Sequence, residues 1–452
     1  MRSSLTTTIV VVIALHFCFC FCYCPVMAQT KPPRKQATHA IVPPREPERA
    51  KEFLIVRGIE VWRGKYEFMN LGVNIPDLLH QFLHAQDKSA GAALKRAAQQ
   101  GVRLVRCVAY PRTAEEYRQF KMDQSAWFAA FSRMLAAADA LGISCVPTLL
   151  PDTTVAPPLF TSNATAHDYL KQGTEVNRVA AGFVSTCVTQ YRDDPRVLFW
   201  EIGEEINRFA DLPTTVTDTQ HRNTTEECYS SDEVRSFLLQ IATLIKSLDR
   251  HHLISSGCGD LLPNAWHLRQ AMLVHHSSPQ PWSYSADDDH TLPDQFIRYS
   301  EMIAFYAPAG IDIVSVHQAP PGEERVNWLV EDDDHAFRLP WIRQAAGSVA
   351  TGVPGAPPGK PLFVGSIGNR PTSGPRLTDS VWIADFIKRA RTDAGPVSAL
   401  NDWQLYDHEP LPDTASVAAK KAQPNPSGDI LNLLFSLNST LYTASREGPY
   451  IK

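Results

Sequence analysis

The sequence has no strong charge of either sign: 43 Lys and Arg face 48 Asp and Glu in 452 residues, a net charge of -5. That excludes a surface built to neutralise phosphates, and with it general nucleic-acid binding. No long apolar run follows residue 24, so nothing beyond the N-terminal segment reads as a membrane span. Cys-x-x-Cys and His-Glu-x-x-His are both missing, which removes the usual signatures of a zinc site. No Gly-x-Gly-x-x-Gly follows the first predicted strand, which removes the signature of a dinucleotide-binding, doubly wound sheet. Neither a metal nor a cofactor is expected. No internal repeat is visible. What is present is globular: 44% hydrophobic and 20% charged residues, in a chain long enough for two ordinary domains or one large α/β barrel.

The N-terminus carries a targeting segment. Arg2 precedes a nearly unbroken apolar run over residues 9–24, and Val26-Met27-Ala28 supplies the small residues of a signal-peptidase site. Residues 1–28 read as a cleaved signal peptide, with an uncleaved anchor as the alternative. The mature chain is then secreted, without membrane contact after cleavage. Residues 29–52, rich in Pro, Lys and Arg, read as an extended linker, and 53–452 as the folded unit. Four of the nine cysteines lie in the leader. Of the others, Cys107, Cys145 and Cys187 sit in apolar runs and read as buried thiols. Cys228 and Cys258 lie in loop-like stretches, where an oxidising compartment allows a disulfide. Asn163, Asn223 and Asn438 open glycosylation triplets.

From Phe53 onward, strand-like runs alternate with amphipathic helices. Residues 53–62 and 66–73 flank Arg63-Gly64-Lys65, which predicts a hairpin. Residues 102–108 form a β-branched run. Trp127, Phe128, Phe131, Met134, Leu135, Ala138 and Leu141 then make one helical stripe closed by Gly142, and 143–149 is the next strand. The cycle repeats through 197–202, 253–256, 311–316, 361–365 and 399–406, with Ser230-Ser-Asp-Glu233 as a capping box before a helix. Counting 66–73 as the first gives eight strands with helix-length connections. That is the pattern of a single (β/α)8 TIM barrel, an α/β fold, with an N-terminal β-hairpin and loop insertions. The insertions fall mainly after strands three, five and six, where they shape a cleft at the strand C-terminal ends.

Residues 194–207, Asp-Pro-Arg-Val-Leu-Phe-Trp-Glu-Ile-Gly-Glu-Glu-Ile-Asn, are the most informative segment. Period-two alternation puts Glu201, Gly203 and Glu205 on one face and Trp200, Ile202 and Glu204 on the other. A carboxyl at the C-terminal end of a barrel strand, against low-dielectric walls, suits a general acid. A solvated Glu-Glu loop is the competing reading.

The run 199–207 resembles the strand-four signature of the retaining glycoside hydrolases of family 5, Trp-Glu-x-x-Asn-Glu, whose last glutamate is the acid/base. Further segments are similar to that family in the same order. Residues 66–74 resemble its first strand and Val105-Arg106 its second-strand arginine. Residues 312–317 resemble the sixth strand with its active-site histidine, 359–368 the seventh, and 403–407 the eighth with its sugar-stacking tryptophan. The resemblance implies Glu205 as acid/base, Arg106 and His317 as orienting groups, Trp403 as the sugar platform, and a polysaccharide or oligosaccharide substrate.

The sequence departs from that pattern at four positions. Glu204 stands where an asparagine would contact a sugar hydroxyl, Ile206 where the family has Pro or Leu, and Gln318 where it has tyrosine. Ser366 occupies the position of the nucleophilic glutamate. Retaining hydrolysis needs two carboxyl groups about 5–5.5 Å apart, and a serine hydroxyl is a poor nucleophile without an activating base. Alternation turns Glu204 away from the site, while Glu201 sits deeper and braces Arg106. A serine-hydrolase reading of Ser366 with His317 fails the nucleophile-elbow pattern, because Val364 stands where its first glycine belongs. Water-mediated inversion with Asp260 or Asp287 as base is chemically allowed. The acidic runs 287–289 and 332–334 lack the spacing of an EF-hand. Neither His251-His252 nor His275-His276 suits a metal, because adjacent strand residues face opposite ways. Two readings follow. One is hydrolysis of O-glycosyl bonds in a β-linked glycan of mannan or glucan type, with Glu205 as general acid/base. The other is a barrel without its nucleophile that binds carbohydrate or a protein partner.

Overall fold

The structure, a computed structural model, describes residues 52–212, 229–275, 294–318, 345–349, 359–367 and 399–402, apart from Lys65, Met69 and Gln100. It opens with β1 (Leu54–Arg57), β2 (Glu60–Arg63) and β3 (Tyr66–Glu67), a three-stranded antiparallel sheet. The predicted hairpin is present, Trp62 pairing with Glu67 and Arg63 with Tyr66, and a further turn precedes it. Gly58 takes φ +64, a left-handed conformation open to a residue without Cβ, and divides the run 53–62 into two strands.

The βα units follow in order: β4 (Asn70–Asn74), α1 (Leu78–Leu83), α2 (Asp87–Gln99), β5 (Leu104–Val108), α3 (Ala114–Met122), α4 (Gln124–Asp139), β6 (Ser144–Leu150), α5 (Ala156–Phe160), α6 (Ala166–Leu170), α7 (Glu175–Tyr191) and β7 (Trp200–Gly203). After these come α8 (Ser231–Leu248), β8 (Ile254–Ser255), α9 (Ala265–His275), α10 (Phe296–Phe305), β9 (Val314–Gln318), β10 (Leu362–Ile367) and β11 (Ala399–Asp402). The strands β4 to β11 make one parallel sheet in the order β8-β7-β6-β5-β4-β11-β10-β9. Chain neighbours are sheet neighbours, and the first strand pairs with the last, Val73 opposite Asp402. That connectivity is a barrel's and not a doubly wound sheet's. The outer strands β8 and β9 meet through a single parallel bridge, Ser255 to Ile313, where the Ile254 carbonyl accepts from the Asp312 and Ile313 amides.

Strand parity sorts the apolar residues into two clusters. Val105, Cys107, Val197, Trp200, Val316 and Val364 belong to the large cluster shared with the helices. Leu104, Val146, Phe199, Leu253, Ile313 and Phe363 form a second cluster with Leu54, Val61 and Phe68 of the N-terminal segment. Alternate residues face opposite sides of a strand, so the first set lies under the helices and the second forms an apolar floor inside the barrel. The helix signals behave as read. Ser230 and Glu233 form the reciprocal capping box of α8, and Trp127, Phe131, Met134, Leu135 and Ala138 are the buried face of α4. Cys107, Cys145, Cys187 and Cys258 are buried free thiols, so Cys258 is not in a disulfide. Cys228, Trp403, Asn223, Asn438, the acidic runs and the leader lie outside the described residues. Among the described residues no helix is long and apolar enough to cross a membrane.

Candidate active site

The barrel interior turns polar one step above its floor. Two residues beyond Leu104 stands Arg106, two beyond Val146 Thr148, two beyond Phe199 Glu201, and four beyond Ile313 His317. Even spacing sends each to the same face as its floor residue. All four are buried. Arg106 Nε donates to Glu201 Oε1 at 2.7 Å, and Thr148 Oγ1 donates to the same oxygen at 2.7 Å. Arg106 Nη2 also donates to Glu204 Oε2. Burial alone would lower the guanidinium; the Glu201 and Glu204 carboxylates outweigh it and hold Arg106 above its ordinary value. Glu201 therefore braces a permanent cation, as the sequence predicts.

Glu204 does not follow the sequence reading. The strand β7 ends at Gly203, and the alternation that turned Glu204 outward ends with it. The Glu204 amide donates to the Leu150 carbonyl at 3.0 Å and the Glu205 amide to that of Gly257 at 2.9 Å. Glu205 takes φ +46, a left-handed conformation that costs a side chain roughly 1–2 kcal/mol and collects at functional sites. The bend brings both carboxyls to one centre. Glu205 Oε1 lies 2.9 Å from His317 Nδ1, and Glu204 Oε1 lies 3.8 Å from the same nitrogen. One ligand-capable atom from each of Glu204, Glu205 and His317 lies within 4.8 Å of the others, and all three residues are buried. On its outer side Glu205 Oε2 lies 3.8 Å from Arg208 Nη1.

Several residues that the sequence left without a role build this bend. Gly257 has φ +69, and a Cβ there would stand 1.8 Å from the Gly203 carbonyl oxygen. A Cβ at Gly259 would come within 3.2 Å of Glu205 Cγ. Asn207 and Gly259 exchange hydrogen bonds of 2.8 and 3.1 Å, tying the loop after β7 to the loop after β8. The signal was a Gly-Cys-Gly at the end of a predicted strand, which alone does not say what the backbone must approach. Beyond β5, Tyr110 is a second unassigned group. Burial, then the carboxylates of Glu204 and Asp152, push its phenol well above its ordinary value, so it stays a hydroxyl donor.

Ser366 reaches the centre through a change of register. Along β10, Val364 pairs with Val316 and Ser366 with His317, which leaves Gly365 as a bulge. Alternation counted from Phe363 would turn Ser366 outward; the bulge returns it to the face of His317. A Cβ at Gly365 would lie 2.8 Å from His317 Nε2, so a side chain at the bulge would displace the imidazole. Asn74 Nδ2 donates to the Gly365 carbonyl at 3.2 Å and anchors the bulge to β4. Ser366 is 1% exposed. Its Oγ, His317 Nε2 and Glu204 Oε1 have no hydrogen-bond partner among the described residues. Asp260 follows Gly259 and accepts from the Tyr299 hydroxyl at 3.3 Å; Asp287 and the predicted platform Trp403 fall outside the described residues. The structure thus brings Arg106, Glu204, Glu205, His317 and Ser366 to the C-terminal ends of β5, β7, β9 and β10.

No protein-family profile and no curated protein matches the chain. Solved structures do. The endo-1,4-β-D-mannanase of Thermotoga petrophila superposes with a TM-score of 0.52 at 13% identity, over 82% of this chain and 100% of that one. The glycoside hydrolase family 5 mannosidase of Rhizomucor miehei gives 0.51 at 14% identity, over 88% and 100%. The exo-β-1,4-mannosidase of an Opitutaceae bacterium gives 0.52 at 14% identity, over 86% and 63%. The fold is the (β/α)8 barrel that these solved structures share. At such identities the likeness carries architecture alone, so the chemistry must be argued from the cluster itself.

Proposed function

We propose that this chain is an exported, glycoside hydrolase-like barrel whose cleft takes a β-linked glycan of mannan or glucan type, with Glu205 as general acid/base. The observation that carries the reading is the 2.9 Å contact between Glu205 and His317, residues 112 apart in sequence. It lies at the strand ends where barrels of this kind do their chemistry. A general acid must present one oxygen to the glycosidic oxygen it protonates. Fixing Oε1 against the imidazole restricts the Glu205 rotamer, with Oε2 beside Arg208. Arg106 holds the neighbouring carboxylate still, and Tyr110 adds a hydroxyl donor. Mannans come first among the glycans to be tried, because the similar barrels are named as a mannanase and mannosidases.

The buried, uncharged Ser366 favours a second reading, in which the cleft holds a glycan without cutting it. Glu204 is a poor replacement for the missing nucleophile: it comes from the residue next to Glu205 and is bound to Arg106, so it does not stand across a sugar ring from the acid. Sugar release from β-mannans, β-glucans and aryl β-glycosides separates the readings when wild type, Glu205→Gln and Ser366→Glu are compared. Hydrolysis by wild type that Glu205→Gln abolishes supports the enzyme. A silent wild type with an active Ser366→Glu supports the binder. Activity that survives Glu205→Gln would remove Glu205 from its role.

A further inference from the structure

Where Glu204, Glu205 and His317 meet, Glu204 Oε1 and His317 Nε2 are buried and have no hydrogen-bond partner among the described residues. Glu205 Oε1 engages His317 Nδ1 at 2.9 Å, but Glu204 Oε1 stops at 3.8 Å from that nitrogen, beyond hydrogen-bond reach. A buried carboxylate oxygen with no donor is unfavourable unless something positive satisfies it. The Ser366 hydroxyl, placed by the bulge in register with His317, is also buried and without a partner among the described residues. Two of the separations, 2.9 and 3.8 Å, fall within the span of one coordination shell, and the third is within 4.8 Å. Ligands about 2.1 Å from one ion lie about 3 Å apart when adjacent and about 4.2 Å apart when opposite.

We propose that Glu204, Glu205 and His317 bind one divalent first-row metal ion, with the Ser366 hydroxyl beside it. Two carboxylate oxygens and one imidazole nitrogen suit manganese(II) or a neighbouring ion, more than calcium with its preference for oxygen alone. The outer support is in place. Glu204 Oε2 is held by Arg106, which is held in turn by Glu201, so the ligand keeps its orientation. The site departs from the expectation that no metal is bound. Sequence spacing could not reveal it, because adjacent glutamates converge only after the left-handed turn at Glu205, and the histidine arrives from another strand. The ion would draw on the same Glu205 and His317 groups as the acid/base reading, so the metal-loaded site and the proton-donating site are alternative states of one cluster.

Manganese(II) is the probe of choice, because the cysteine-rich leader of the full chain would capture softer, thiolate-seeking ions. Titration of the full-length chain, followed by the paramagnetic resonance signal of the free aqueous ion, is expected to show one bound equivalent. His317→Ala and Glu204→Gln are each expected to weaken binding at least about tenfold. His317→Gln, which keeps a polar side chain of similar length, serves if either variant loses its folded circular-dichroism signal, and the same loss is expected. No binding by wild type overturns the proposal. So does binding left unchanged by the folded variants, which would place the ion elsewhere, the acidic runs included. Because the readout is the ion and not sugar release, either failure leaves the glycan reading untouched.

Discussion

Arg106 is the residue on which the geometry of the site turns. Its guanidinium bonds Glu201 below and Glu204 at the rim, and it is only 3% exposed. Removing one partner of a buried ion pair leaves the others uncompensated. Arg106→Met is therefore expected to lower stability by about 3–5 kcal/mol in urea unfolding. The double variant Arg106→Met/Glu201→Gln should cost less than the sum of the single changes, since the two groups share one network. Additive costs would show that the pair does not act as a unit. Arg106, Glu201 and His317 were legible in the sequence because each lies on a strand, where a two-residue period fixes the side-chain face; Glu205, past the end of β7, was picked out by the resemblance of its segment and not by that period. Glu204 was not legible. It lies just past the strand, where that period lapses, and nothing in a Glu-Glu pair announces that the second will adopt a left-handed backbone.

At the scale of elements, the loops after β7 and β8 behave as one piece. The Glu205 amide donates to the Gly257 carbonyl, Asn207 and Gly259 bond reciprocally, and Gly257 passes the Gly203 carbonyl with no room for a methyl group. Gly257→Ala is expected to destabilise by a few kcal/mol, combining left-handed strain with a clash against backbone that cannot move aside. The corresponding change at Gly142, which has φ +71 but no atom within 4 Å of where a Cβ would stand, should cost only the strain, about 1 kcal/mol. Thermal melts of both variants check this; equal losses would deny the close approach its role. The same comparison shows what a sequence does and does not reveal. The helix stripes and the Ser230 capping box were readable because they depend on residues a few positions apart. The hairpin around Gly64 was readable as well, but the extra turn at Gly58 was not, because one glycine inside an apolar run does not by itself say where a strand breaks.

For the molecule as a whole, acid response follows from buried carboxyls that pull in opposite directions. Burial would raise Glu116, but His80, the Arg112 amide and His84 outweigh it and hold the carboxyl at about 2. Burial likewise opposes His252 and Trp200 at Asp249, and their hydrogen bonds bring it to about 2. Both lie below their ordinary values in the folded chain, so their contribution is present above about pH 4.5 and is lost as pH falls toward 2. Asp211 has the other sign. Burial raises it to about 6 against the hydrogen bonds from Ser231, so its unfavourable charge is relieved as pH falls from 6 toward 4. Urea midpoints measured from pH 7 to 2.5 should therefore show Glu116→Gln flattening the acid limb and Asp211→Asn flattening the segment between 6 and 4. A Glu116→Gln profile parallel to wild type would refute the assignment. The barrel itself was legible at this scale, since eight strand signals in alternation with helices leave few other topologies. Its seam was not: that β8 and β9 touch at one bridge depends on strand length and tilt.

The bulge at Gly365 also bears on how such a barrel changes over generations. Register, and not the side chain itself, delivers position 366 to the cleft, so an exchange there rewrites the chemistry without redrawing the strand. On the proposed glycan reading, cutting and merely grasping would stand one substitution apart on an unchanged frame. A lineage built on this backbone can cross that line in either direction while every other part of the barrel stays as it is.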